Sequence, residues 1–358
     1  MGGAQYQIKC LLDYLRVLDR YDIHYLAHRV PADRELDGYS IHKIGAGTTM
    51  PRFGYITDAS HLYRTLRKLR PNVIYQRIGG AYTGIAAHFA LRHRCGMVWH
   101  AANDTDVQHG LKVGNRNLLR DWLERALLSY GIRRAQTIVT QTDHQARLLF
   151  ENFGRHPDAV IANFQPHPTE AIEKSVPPRI VWVANLKRTK QPDAFLRLAR
   201  ALQDIRDARF VMIGAGAVRS SESPWHDSLM HDIAATPNVD YLGQRSQQEV
   251  NAELAKAHVF VNTSLYEGFA NTFIQAWMRE TPVVSLNVNP DRIFDNDNIG
   301  FHTSTEERLA EIVRRLIADP EQRQSIARRA KAYAMKFHSM QNAQRLEEII
   351  YSAAGPRA

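Results

Sequence analysis

Short runs rich in Val and Ile alternate with stretches of helical period along this chain, and that alternation most restricts what it can fold into. In the first half the runs cover residues 22–28, 73–77, 97–101, 137–141 and 159–163. In the second half they cover 179–184, 209–214, 239–243, 258–262 and 282–286. Each is about as long as a strand. Between them lie segments such as 4–18, where Ile8, Leu11, Leu12 and Leu15 share one helical face. Strands separated by helices predict an α/β protein with parallel sheets covered on both sides.

A length of 358 residues suggests two domains at roughly 150 residues each. The Pro-rich, polar stretch QPHPTEAIEKSVPP near the midpoint has no apolar period and reads as a linker. The expected division is a first domain over 1–165, a linker over 166–178, a second domain over 179–335 and a closing helical segment over 336–358. The tail from 319 to 353 reads as helix with a break near 337–339.

Apolar residues make up 44% and charged residues 23%, which suits a soluble globular protein and excludes a disordered one. Cys10 and Cys95 cannot make a disulfide framework, so a reducing compartment is expected. No apolar run approaches the ~18 residues of a membrane span, and the start MGGAQYQIKC lacks a secretory apolar core. A cytoplasmic location follows as the expectation. The net charge of +9 is uneven: residues 1–178 hold 23 Lys/Arg against 16 Asp/Glu, residues 179–358 hold 23 against 21. A basic first half suits an anionic substrate or leaflet. Nucleic acid is not expected, because no zinc finger, RNA-recognition signature or basic stripe with interleaved aromatics is present.

The strongest chemical signal is Tyr266-Glu267-Gly268-Phe269-Ala270-Asn271-Thr272-Phe273-Ile274-Gln275, directly after the run 258–262. In open α/β sheets, ligands bind beyond the carboxyl ends of strands. Gly268 lets backbone approach a ligand closely. Asn271 and Thr272 fall where a helix should begin, and free N–H groups there suit a diphosphate. Glu267 can accept hydrogen bonds from sugar hydroxyls, and Gln275 follows about two helical turns later.

These residues resemble the donor-binding core of family 4 of the retaining GT-B glycosyltransferases (group 1 glycosyltransferases) of the bacterial exopolysaccharide and lipopolysaccharide type. The resemblance runs over most of residues 70–350 and is sharpest at 180–290, with Ser264-Leu265-Tyr266-Glu267-Gly268-Phe269 and Pro282-Val283-Val284 as its signature. It implies two Rossmann-like, doubly wound domains facing a cleft. The first domain would bind the acceptor, the second the nucleotide-sugar, with the last helix crossing back to the first domain. It also implies a retaining, metal-independent, hexosyltransferase-type reaction with no cofactor. The acceptor would be a surface-polysaccharide precursor or a lipid-linked sugar, with an anionic inner membrane surface as a peripheral partner.

In the family a Glu-x7-Glu pair contacts donor sugar and ribose. Here Glu267 keeps the first position and Gln275 holds the second, without the charge of a carboxylate. The family's Gly-Arg-Leu-x-x-x-Lys reads Ala184-Asn185-Leu186-Lys187-Arg188-Thr189-Lys190. Lys190 matches, Asn185 replaces the Arg, and Lys187 or Arg188 would take over its charge toward the leaving diphosphate. The loop with Gly214 and Gly216 approaches the nucleotide in the family, and Phe269 and Ala270 complete the donor loop. His100, at the end of the run 97–101, resembles the family histidine that faces the donor sugar. Gly2 and Gly3 correspond to the loop on the acceptor side.

Other patterns carry less. Asp104-Thr105-Asp106 fits the metal motif of a different glycosyltransferase fold, and the surrounding chain does not suit that fold. Gly214-Ala215-Gly216 has Arg219 at the sixth fingerprint position, so NAD is not expected. No tight metal-ligand His spacing and no Gly-x-Ser-x-Gly elbow occurs. Two other functions remain compatible with the same residues: a nucleotide-sugar epimerase of the same fold, and a non-catalytic homologue serving as a partner subunit. Finally, family members open with an apolar strand before the Gly-Gly loop. Here only Met1 precedes Gly2. The expectation is an additional strand of five to seven apolar residues encoded upstream, or a substitute such as 22–28.

Overall fold

The computed structural model describes residues 2–28, 34–36, 38–45, 54–108, 118–205, 207–216 and 223–355. The chain divides into two compact units, Met1–Asn163 with Gln341–Ala358, and Phe164–Met340. Arg219 lies outside the described residues.

The first unit contains β1 (His24–Ala27), β2 (Arg34–Leu36), β3 (Tyr39–Lys43), β4 (Val73–Arg77), β5 (Gly96–His100), β6 (Thr137–Thr140) and β7 (Ala159–Val160). They form two sheets. One has the order β1-β3-β2, with β1 and β3 parallel and β2 antiparallel. The other has the order β4-β5-β6-β7 and is parallel throughout. The run 22–28 does become a strand. It pairs with β3, however, and is not hydrogen-bonded to β4, so it does not fill the place next to β4. Sequence periodicity does not identify β2 and β3. In β3, Tyr-Ser-Ile-His-Lys, only Ile41 is buried, so no apolar run marks it.

Helix Gly3–Val17 begins one residue earlier than the periodicity predicts. Gly2 is its N-cap, with its N–H donating to Gln5 Oε1 at 2.9 Å. Gly3 is therefore in the helix and only Gly2 is outside it. Helix Gln341–Ala353 lies against β4, β5 and helix Gly3–Val17. Asn342 Nδ2 donates to the Ala162 carbonyl at 3.1 Å, and buried Glu347 accepts from Arg20 and Tyr21. A Cβ at Gly96 would lie 2.1 Å from the Ala353 carbonyl oxygen, so this close approach requires glycine.

The second unit holds one six-stranded sheet: β8 (Arg179–Val183), β9 (Arg209–Ile213), β10 (Val239–Gly243), β11 (Val259–Asn262), β12 (Val283–Ser285) and β13 (Gly300–His302). The spatial order is β10-β9-β8-β11-β12-β13 and every pairing is parallel. A sheet covered on both faces needs apolar side chains on both. Ile180 and Trp182 of β8 accordingly join one core with Phe195, Phe210 and Leu309, while Val181 joins another with Phe260, Phe273 and Trp277.

Residues 166–178 contain no helix or strand and are tied to the second unit. Glu170 pairs with Arg279, which is buried. Lys174 Nζ donates to the Arg279 carbonyl at 2.8 Å and to Thr281 Oγ1 at 2.9 Å. Burial pushes the Lys174 ammonium from its ordinary 10.5 down to about 7; Glu280 opposes the shift and Arg323 adds to it. Between pH 7 and 10.5 the unfolded chain therefore holds more proton at this group than the folded one. Stability should rise with pH through that window, by at most about 1.4 kcal/mol per pH unit from this group. Lys174→Met should flatten that rise in thermal melts recorded from pH 7 to 10. An unchanged slope would show that Lys174 keeps its ordinary ionisation.

Candidate functional site

Strand order reverses next to β8: the chain runs outward through β9 and β10, then returns to place β11 on the other side. The loops leaving β8 and β11 diverge there, which opens a crevice at the carboxyl edge. Residues 184–190 leave β8, and residues 263–270 leave β11.

Lys190 and Glu267 come together at this point as an ion pair, with side chains 24% and 21% exposed. Ser264 Oγ donates to the same Glu267 carboxylate oxygen at 2.8 Å. Asn262 in turn contacts Ser264, its Nδ2 donating to Oγ and its Oδ1 accepting from the backbone N–H, both at 3.3 Å. The two loops are stitched together below the pair. Thr263 Oγ1 lies 2.7 Å from the Lys190 carbonyl, and Trp182 Nε1 donates to it at 2.9 Å. The Leu265 N–H donates to the Thr189 carbonyl at 2.9 Å. Asn287, just beyond β12, donates to Gln191 Oε1 at 2.9 Å. Gln191 has a left-handed backbone with φ of 46° and caps helix Pro192–Ala201. Thus a cation and a carboxylate, both partly open to solvent, sit on a buried polar lattice.

Helix Asn271–Met278 starts beside this loop without a side-chain cap, and Asn271 and Thr272 are its first residues. Gly268 is half-buried within the loop. Phe269 and Ala270 are core residues: Phe269 lies 4.6 Å from the His338 ring and 6.2 Å from Trp277, centroid to centroid. They anchor the loop from beneath. Gln275 is 2% exposed, and its Nε2 donates to Asn251 Oδ1 at 2.8 Å.

The remaining residues of the β8 loop are not drawn into the cluster. Asn185 and Lys187 are exposed, and the Arg188 guanidinium lies over the Trp225 ring at 5.0 Å. Gly214 and Gly216 serve their own backbone. A Cβ at Gly214 would stand 1.7 Å from the Ala184 carbonyl oxygen, and one at Gly216 would stand 2.2 Å from His226 Nε2. The Leu186 N–H donates to the Ala215 carbonyl at 2.9 Å, so this contact sets the path of the β8 loop.

In the first unit, His100 ends β5 and is fully buried. Its Nδ1 lies 2.9 Å from Tyr75 Oη and 3.2 Å from an Arg77 guanidinium nitrogen. Arg77, itself buried, also donates to Asn163 Oδ1. Burial and the Arg77 charge hold His100 well below its ordinary 6.5, and a backbone hydrogen bond at Ile161 opposes them. Asp104 accepts from Gln145 Nε2 at 3.1 Å, and Asp106 caps its own turn by accepting from Ala102 N–H at 2.8 Å. Among the described residues no group of three His, Cys, Asp or Glu is placed to hold a metal ion.

Sequence reasoning missed Thr263, Ser264, Asn287, Gln191 and, in the first unit, Tyr75 and Arg77 as supports. Thr263 and Asn287 are the first polar residues beyond β11 and β12, the position at which sequence can point to such supports; Tyr75 and Arg77 lie within β4 and carry no such mark.

The Gln275–Asn251 contact generates a test. A carboxylate at 275 has no donor, so Asn251 must turn its amide, which strips Gln247 Nε2 of its acceptor at 3.2 Å. Gln275→Glu should therefore lower the stability of the ligand-free protein by about 1–3 kcal/mol. Denaturant midpoints equal to wild type would show that this pair is not formed in solution.

Residues 177–319 match the family model of the glycosyl transferases group 1. A curated relative, glycosyltransferase 1 domain-containing protein 1 of Xenopus tropicalis, is 28% identical over 94 residues, which is 26% of this chain and 27% of that one. Among solved structures, sucrose-phosphate synthase from Thermosynechococcus elongatus superposes with a TM-score of 0.78 at 15% identity, covering 98% of this chain and 93% of the other. Anabaena HepE, solved with UDP and glucose, gives a TM-score of 0.74 at 16% identity, covering 98% and 96%. WaaG, a glycosyltransferase involved in lipopolysaccharide biosynthesis, gives 0.73 at 14% identity, covering 98% and 96%. The chain therefore has the GT-B fold of these structures, with two Rossmann-like units, and its residues 177–319 are similar to the group 1 glycosyl transferases.

Proposed function

We propose that this protein is a retaining glycosyltransferase of family 4 that moves a hexose from a nucleotide-sugar to a surface-polysaccharide precursor or lipid-linked sugar. The observation that carries the reading is the Lys190–Glu267 pair at the strand-order reversal, inside the matched family region. HepE is solved with UDP and with UDP-glucose, which makes uridine diphosphate sugars the first donors to try.

In this reading the donor diphosphate takes the Lys190 ammonium from Glu267, and the uncapped start of helix Asn271–Met278 adds backbone N–H groups. Glu267, still held by Ser264, turns to the sugar hydroxyls. The bond from the anomeric carbon to the diphosphate oxygen breaks, and the electron pair leaves with the nucleotide. The acceptor hydroxyl bonds to the same face of that carbon and gives its proton to the departing phosphate oxygen. His100 is held neutral, so its contribution toward a sugar is a hydrogen bond and not a charge. Cations and helix dipole balance the leaving group, so no metal is required. The basic first half suits an anionic acceptor and leaflet, with the protein peripheral on the inner face of the membrane.

The primary experiment is a panel of nucleotide sugars, followed by calorimetry for binding and by mass spectrometry for transfer and donor hydrolysis. Absence of binding across the panel would overturn the reading. Glu267→Gln should lower kcat/KM by about 100-fold or more, near 2.7 kcal/mol, with an unchanged thermal melt. A folded variant with wild-type turnover would remove Glu267 from the reaction. Turnover should also persist in excess EDTA. Loss in EDTA with recovery in manganese would return attention to Asp104 and Asp106.

A further inference from the structure

From the end of β11 into the loop that follows it, the usual relation between polarity and burial is inverted. Asn262, Thr263 and Ser264 are buried, whereas Leu265 and Tyr266 are 48% and 61% exposed. Polar side chains ordinarily lie outside and large apolar ones inside. The buried half of the inversion has its reason in the lattice beneath the Lys190–Glu267 pair, to which Asn262, Thr263 and Ser264 supply the hydrogen bonds. That lattice makes no use of the Tyr266 side chain.

The backbone under Tyr266 is fixed on both sides. Before it, the Leu265 N–H donates to the Thr189 carbonyl at 2.9 Å. After it, Glu267 is held by Ser264 Oγ at 2.8 Å and by Lys190. A large ring is thus offered to solvent from an anchored loop. Seating a ligand on it orders one side chain and no backbone, which lowers the cost of binding.

The neighbours decide what sits there. Resting on the glycosyltransferase reading, the donor diphosphate is at Lys190 and the sugar hydroxyls are at Glu267. The sugar ring is then the part of the donor beside Tyr266, since the base lies on the far side of the diphosphate. A pyranose carries hydroxyls around its rim and C–H bonds on its faces. The rim calls for a hydrogen-bond acceptor, and the face calls for a flat apolar partner with electron density above its plane. Glu267 and Tyr266, consecutive in the chain, supply one each. We infer that Tyr266 is a specificity-determining residue for the donor: its ring packs on a C–H face of the transferred hexopyranose while Glu267 takes hydroxyls at the rim. The ring and not the phenol hydroxyl makes the contact. A sugar with an axial hydroxyl standing on that face is disfavoured.

The test compares two ligands by calorimetry on the full-length protein: the tightest-binding nucleotide sugar of the panel, and its nucleoside diphosphate alone. Tyr266→Ala should weaken the nucleotide sugar by about five- to tenfold and leave the nucleoside diphosphate within about twofold of wild type. Tyr266→Phe should match wild type for both ligands, and both variants should keep the wild-type thermal melt. Parallel weakening of the two ligands by Tyr266→Ala would place the ring on the nucleotide and overturn the inference. So would unchanged affinity for both, or a loss in Tyr266→Phe equal to that in Tyr266→Ala. Wild-type protein that binds no nucleotide sugar would overturn the glycosyltransferase reading itself, and this inference with it.

Discussion

A parallel strand cannot reach its neighbour through a tight turn, and this constraint governs the second unit. Every connection in its six-stranded sheet crosses back, so all carboxyl ends open on one edge. Where the order reverses, at β8 and β11, two loops part and leave room for a ligand. The geometry is enforced at one backbone contact: Gly214 meets the Ala184 carbonyl where no Cβ fits. That contact fixes the β8 loop, the loop places Lys190, and Thr263 and Leu265 bind the β11 loop to it. Glu267 thus owes its position to residues in four different loops.

Much of this was legible from residues alone. Ten strands, from the buried β5 and β11 to the half-buried β1 and β4, coincide with apolar segments that could be read directly. β2, β3 and β13 could not, because a three-residue strand, a strand with one buried residue or a Gly-Phe-His sequence leaves no period to detect. Lys190 and Glu267 stand 77 positions apart in the chain, and only the shared loop-after-strand placement hinted at their pairing. Phe269 shows the opposite difficulty. A motif position next to a ligand loop looks the same in sequence whether the side chain faces ligand or core, and here it faces the core. Gln275 is similar: its position is readable, but its engagement by Asn251 comes from a different helix.

Hydrogen-bond chemistry at His100 follows from the same reasoning about what a group is able to do. A guanidinium only donates, so a ring nitrogen facing Arg77 must accept. The proton of the neutral ring is therefore on the other nitrogen, Nε2. Tyr75 and Arg77 sit on the strand adjacent to His100 in register, Arg77 directly opposite it. The tautomer is thus set by strand pairing and needs no nearby carboxylate.

The energetics of the Lys190–Glu267 pair decide whether it is a strut or an occupied site. An ion pair sealed in a core costs roughly 3–5 kcal/mol to break from one side, because the remaining charge is stranded. This pair keeps about a quarter of each side chain exposed, so its worth lies between that figure and the ~0–1 kcal/mol of fully exposed pairs. The lattice beneath it is the reverse: Asn262, Thr263 and Ser264 are buried, and their hydrogen bonds do not involve the Lys190 ammonium. An incoming anion of higher charge can therefore take Lys190 at less cost than from a sealed pair, while Glu267 keeps Ser264 and its place. A rigid base carrying a weakly held, exchangeable ion pair is what a site for an anionic ligand with hydroxyl groups requires.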